Sequence, residues 1–247
     1  MLQEQDYQET DERFEGVLRA IIQELYAREG KDKVTLALFY LLIREANTWR
    51  SIRLLRQHTP EQFCCAFMVD AGTLLRAMFD AYVQADFIFR DPTKRAERAT
   101  QYLDFEHVER YKMVNKIRRH DNPLTDVLES SAMRADGEKR LQQEFDRVKD
   151  QFTGTRNKWY KGDLSQLSKA AGKEAEYDTF VNSFSGCVHS SAFAVKNGPM
   201  VPLNDVLFLA STLATRVARI NVEYNQLDLG EERMILDELC KGWLDKE

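Results

Sequence analysis

The sequence predicts an all-α protein, and three observations carry that prediction. Apolar residues recur at steps of three and four rather than two. Prolines follow helix-capping residues instead of interrupting apolar runs. Alternating β-branched segments closed by Asn-Gly or Asp-Gly turns are missing. The expected architecture is therefore a single-domain bundle of about eight or nine helices with no sheet.

The first helix is expected near residues 10–29, where Phe14, Val17, Leu18, Ile21, Ile22 and Leu25 form one apolar stripe. The second, near 32–58, holds the longest apolar run, Val34 to Ile43, about half of the roughly twenty residues a membrane span needs. It reads as a core helix. The third, near 60–90, opens with Thr59-Pro60-Glu61-Gln62, a capping-box spacing with proline at the first helical position. Asp91-Pro92 and Asn122-Pro123 place the starts of helices near 92–120 and 124–135 by the same logic. A charge-rich stretch with a thin stripe of Leu141, Phe145, Val148 and Phe152 predicts an outer helix near 138–153.

Residues 153–173 break the rhythm with three glycines and the pair Trp159-Tyr160, so this stretch reads as a loop. Helices follow near 174–196, 203–228 and 231–245, the first two separated by a loop that Pro199 and Pro202 bracket. Leu207, Leu213, Val217, Ile220 and Tyr224 mark the core face of the second. There is neither an internal repeat nor a clean linker. The chain reads as one domain, 1–247, with an N-terminal helix in 1–30, a core in 31–200 and completing helices in 203–247.

Composition excludes several classes. With 247 residues, 43% of them hydrophobic, the chain can bury a sizeable core. A net charge of -5 and a pI near 5.6 give no general attraction to DNA or to an anionic membrane. The start, MLQEQDYQETDE, lacks the basic end and apolar centre of a secretory signal, so a cytoplasmic location is expected. Cys64, Cys65, Cys187 and Cys240 show no metal-ligand spacing, so neither a metal site nor a disulfide framework is expected, and no cofactor is called for.

Two apolar segments carry out-of-place polar side chains. On Phe63–Tyr82, Arg76 and Asp80 stand four apart and can pair, with Asp70, Thr73 and Gln84 extending their face. On 177–194, His189 shares a face with Asp178, Asn182 and Ser185. Each segment has an interior glycine, Gly72 and Gly186, at a cost of about 1 kcal/mol relative to Ala that close helix approach offsets. The two helices are thus expected to cross near these glycines and to bring Arg76 and Asp80 towards His189. The structural alternative is that both stripes only fix helix register. Arg53 and His58 have the Arg-x4-His spacing of helical ribonucleases, a short pattern that arises easily by chance. Arg110 to His120 is a local basic patch at a helix end, where the helix dipole favours cations without any ligand.

Taken in order, Arg76-Ala-Met-Phe-Asp80-Ala, Asp91-Pro92 with Tyr102 following, Trp159-Tyr-Lys-Gly162, Tyr177 and Ser185 with His189 resemble a bacterial all-helical family, domain-of-unknown-function family 5677, over roughly residues 40 to 200. In that family an Arg and an acidic residue four later, usually Glu, face a late Ser and His, with a Trp-Gly-like element between. Here Asp80 replaces the Glu, and Tyr-Lys intervenes between Trp159 and Gly162. The resemblance implies a fold and a candidate cluster rather than a reaction.

The leading expectation is a polar pocket of Arg76, Asp80, Trp159, Tyr160, Asn182, Ser185 and His189 for a small anionic or nucleotide-like ligand, or a defence-type role. Arg would supply fixed donors and the aromatics would cover a planar group. One rival is a metal-independent ribonuclease or phosphodiesterase resembling HEPN-type helical nucleases, with His189 or His58 as general acid/base, an Arg stabilising the phosphorane and RNA as partner. The other is a helical scaffold without catalysis, with Trp243 and Leu244 as a surface suited to a homodimer.

Overall fold

A computed structural model describes residues 4–58, 64–119, 135–153, 158–188 and 203–244. Among them lie nine α-helices and one 3-10 turn, with no strand. They are α1 (Glu4–Ala27), α2 (Lys33–His58), α3 (Cys64–Arg90), α4 (Arg95–Arg118), α5 (Ala135–Val148) with the 3-10 turn Lys149–Phe152, α6 (Leu164–Ala170), α7 (Glu174–Val188), α8 (Leu203–Asn225) and α9 (Glu231–Leu244). The all-α expectation holds. No described helix is long and apolar enough to cross a membrane.

Two compact units emerge: residues 1–95 with 164–247, and residues 96–163. In the first, α2, α3 and α8 pack on one another and form the centre. The α2–α8 contact is antiparallel and polar-laddered: Thr35 Oγ1 meets Asn225 Oδ1 at 2.7 Å, Asn221 Nδ2 donates to the Leu38 carbonyl at 3.1 Å, and Trp49 Nε1 donates to Ser211 Oγ at 2.8 Å. Trp49 also takes Phe14 of α1 edge-on, with ring centroids 5.0 Å apart. The predicted stripe of α1 is the buried one, since Phe14, Val17, Leu18, Ile21 and Leu25 are all inside. Asp32 caps α2 by accepting the Thr35 N–H at 2.8 Å.

In the second unit α4 and α5 run antiparallel, tied by Asp104 to Arg147 and by Glu144 to His107 and Arg110. The thin stripe of α5 does its expected work: Leu141, Val148 and Phe152 are buried, and Phe145 stacks on Tyr111 at 3.9 Å.

Two local expectations need correction. Pro92 is not the first residue of a helix. Asp91 Oδ1 accepts from the Thr93 N–H and hydroxyl at 3.0 and 2.7 Å, and Lys94 N–H closes back on the Asp91 carbonyl at 3.0 Å, so Asp91–Lys94 is a turn and α4 begins at Arg95. Within the expected loop, residues 164–170 form α6, which buries Leu164, Leu167 and Ser168. It ends in a six-to-one closure, Lys173 N–H to the Ser168 carbonyl at 2.7 Å, around Gly172 at φ +65°. The positive φ disfavours a side chain at Gly172, whereas the Arg90 guanidinium, 2.6 Å from where a Cβ would lie, is the end of a flexible side chain that can move aside. The expected helix starts at Pro60 and Pro123, and the whole segment 124–134, lie outside the described residues.

Candidate functional site

The crossing read from the two interior glycines is present. A Cβ on Gly72 would stand 3.0 Å from Cys187 Sγ and 3.1 Å from Phe184 Cδ1, so α3 and α7 approach closely there. Further along, Phe79 stacks on Phe180 at 4.8 Å and meets Tyr177 at 6.5 Å, which makes the pair antiparallel. Phe184 and Cys187 are buried, and Cys187 is a free thiol whose pKa burial pushes up.

Arg76 lies one turn beyond Gly72 and one turn before Phe79, on the stripe of α3 that faces α7. It is half-buried, and its side chain makes no hydrogen bond or ion pair with any described residue. The expected Arg76–Asp80 pair is not formed. Asp80 Oδ1 instead accepts from Gln84 Nε2, one turn on, at 3.1 Å. An Arg placed before its acid at a four-residue step has the less favourable order for the helix dipole, and the neighbouring amide takes the carboxylate.

Ser185 is half-buried on α7. The Asn182 side chain and His189 lie outside the described residues, as do the Trp243 and Leu244 side chains. Trp159 and Tyr160 belong to the second unit, buried edge-to-face with one another at 5.5 Å, and Trp159 meets Tyr102 at 5.6 Å.

Arg53 of the ribonuclease-like spacing is committed elsewhere. Its Nε lies 3.9 Å from Asp11 Oδ2, and its guanidinium covers the Trp49 ring at 5.6 Å, while Arg56 approaches the same carboxylate at 3.5 Å. His58 is exposed at the last residue of α2. Among the described residues no group of three or more His, Cys, Asp or Glu could hold a metal ion.

A second polar cluster escaped the sequence. Tyr82, buried on α3, receives Arg216 Nη1 of α8 at its hydroxyl, 3.3 Å away. The ring has Arg216 over it at 5.3 Å and Lys173 at 5.6 Å. Both cations reach Glu176 Oε1, Arg216 at 3.0 Å and Lys173 at 3.3 Å, while Glu176 Oε2 is buried with no hydrogen-bond partner. Burial raises the Tyr82 pKa despite the cations beside it. For Lys173, burial opposes the charge, but Tyr82, Glu176 and Asp86 outweigh it and push its pKa up. The available signal was weak: Tyr82 closes the apolar segment, and Lys173 precedes a helix start rich in acid.

Fold and site together define a class: an all-helical protein whose α3–α7 seam carries a half-buried arginine with no partner among the described residues, beside a cation-rich tyrosine cluster. Residues 35–197 match the family described as "Family of unknown function (DUF5677)", and the chain belongs to it. The match runs from the first turn of α2 past the end of α7. No curated protein and no solved structure shows significant similarity to the chain.

Proposed function

We propose that this protein is a binding module for a small anionic or nucleotide-like ligand, taken up at the α3–α7 seam with Arg76 as its anion anchor. The observation that supports this reading is the state of Arg76. Removing a guanidinium from part of its water is costly unless an acceptor replaces that water. Every cation of the nearby Tyr82 cluster has such an acceptor, and Arg76 has none among the described residues. A carboxylate or phosphoryl group fits the planar fork of donors and supplies the missing partner.

Isothermal titration with nucleoside mono- and diphosphates, the parent nucleosides as controls, tests the reading in wild type and Arg76→Ala. Loss of one charge-assisted contact of about 1.5–3 kcal/mol predicts a roughly 10- to 150-fold weaker affinity. Stability without ligand should change little. An equal affinity in the variant, or a stability loss near 3 kcal/mol, would make Arg76 a structural residue and end the proposal.

A further inference from the structure

The geometry points to a phosphoryl-binding site at Lys173, Arg216 and Tyr82 that the protein's own Glu176 carboxylate occupies and that an incoming phosphate displaces. This site is independent of Arg76, since Tyr82 stands six residues on, about 120° around α3. Donors and acceptor are mismatched at this site. Three donors from three places converge: the Lys173 ammonium at the entry to α7, the Arg216 guanidinium of α8 and the Tyr82 hydroxyl of α3.

Glu176 answers them with one oxygen only. Oε1 takes both cations, and Oε2 is buried with no hydrogen bond. A buried, unpartnered carboxylate oxygen is an unfavourable arrangement, costing about 1–3 kcal/mol or more for a charged group. A tetrahedral phosphoryl group presents three acceptor oxygens and more negative charge, so it matches this donor set better than a flat carboxylate with a stranded atom.

Charge argues the same way. At this position the cations Lys173 and Arg216 stand against the carboxylate Glu176, while Asp86, one turn beyond Tyr82 on α3, is bound by Arg90 at 3.0 Å. Among these named groups the cations outnumber the carboxylates by one. The two cations are only 19% and 18% exposed, so water screens them weakly and a ligand charge would be felt strongly. The Tyr82 ring beneath both cations holds their side chains in place before any ligand arrives.

The test is thermal unfolding and titration calorimetry with inorganic phosphate, against chloride at matched ionic strength. Wild type should show saturable stabilisation by phosphate and not by chloride. Glu176→Gln, which removes the internal anion while keeping its shape, should bind phosphate about tenfold tighter, the change that about 1.4 kcal/mol of relieved repulsion gives. Tyr82→Phe keeps the ring under the cations but removes the hydroxyl, and should weaken phosphate about five- to tenfold, as loss of about 1 kcal/mol predicts. Arg216→Lys guards against a misfolded Arg216→Ala and should also weaken it. No phosphate-specific response in either wild type or Glu176→Gln, or weaker binding in Glu176→Gln, would leave a purely structural ion network and overturn the proposal. Phosphate binding that survives in Arg76→Ala separates this site from the seam.

Discussion

Glu45 is the residue at which the interior is least comfortable. It is completely buried on α2, and neither carboxylate oxygen has a hydrogen-bond partner. The α2–α8 ladder sets it level with Thr215, whose buried hydroxyl is also unsatisfied. Burial pushes its pKa well above the usual carboxylate value of 4.5, so the folded state prefers the neutral acid. The sign follows: this preference favours folding fully below the unfolded pKa and is lost as pH rises through the folded one. Glu45→Met, of similar volume, should therefore stabilise the protein by about 1–3 kcal/mol at pH 8 and by clearly less at pH 4. Urea unfolding at the two pH values checks it, and destabilisation at both would assign Glu45 a partner role. The sequence concealed this residue because the apolar run that draws the eye ends at Ile43. It concealed the Tyr82 cluster for a different reason: Tyr82, Lys173 and Arg216 are far apart in the chain, and no local periodicity encodes which helices meet. Arg76 was legible because a charge on an otherwise apolar helix is conspicuous without knowing its neighbours.

At the scale of elements, the α3–α7 crossing is the contact that the sequence disclosed best, through a glycine whose helix penalty needed an explanation. Adding a methyl at Gly72 recovers helix propensity of about 1 kcal/mol. Against that, the methyl would meet a buried sulfur at 3.0 Å and a buried ring at 3.1 Å, and overpacking costs about 1–3 kcal/mol. Neither neighbour is the free end of a flexible chain, so Gly72→Ala should lower stability by about 1 kcal/mol. Cys187→Ala in the same background should restore part of it, a coupling that a double-mutant cycle in denaturant would show. Strict additivity of the two changes would mean that the helices separate at no cost. The elements that escaped the sequence were short or locally capped. Over its seven residues α6 offers only Leu164 and Leu167 as an apolar repeat, and flanking Gly162 and Gly172 read as loop. At Asp91 the side chain closes a turn first, a competition that propensity alone does not decide.

At the scale of the whole molecule, the division into two compact units is only half marked in the sequence: the change at 163–164 falls inside the glycine-punctuated stretch 153–173, whereas the change at 95–96 lies at the start of α4, where no Gly-, Pro- or Ser-rich linker stands. The units nonetheless differ in what holds them. In the first, the shifted carboxyls, Glu45 and Asp11, have pKa values raised by burial, so acid relieves them. In the second, Glu144 joins α4 to α5 with its pKa held low by the Arg140 hydrogen bond, with His107 and Arg110 contributing. A depressed folded pKa contributes stability above the unfolded value of about 4.5 and loses it as pH falls through the folded one. Each of these contacts is weak on its own, and with the Asp104–Arg147 pair they tie α4 to α5 along the polar edge. Acidification from pH 7 to pH 3 should therefore open residues 97–117 and 135–148 before 71–88 of α3. Hydrogen exchange read by mass spectrometry, corrected for intrinsic rate, would resolve the order. Glu144→Gln should lower protection of 135–148 at pH 7 and leave it unchanged at pH 3, since the wild-type carboxylate is then neutral too. Simultaneous loss in both units, or earlier loss in α3, would show that the apolar stripe of α5 rather than its ion pairs holds the second unit together.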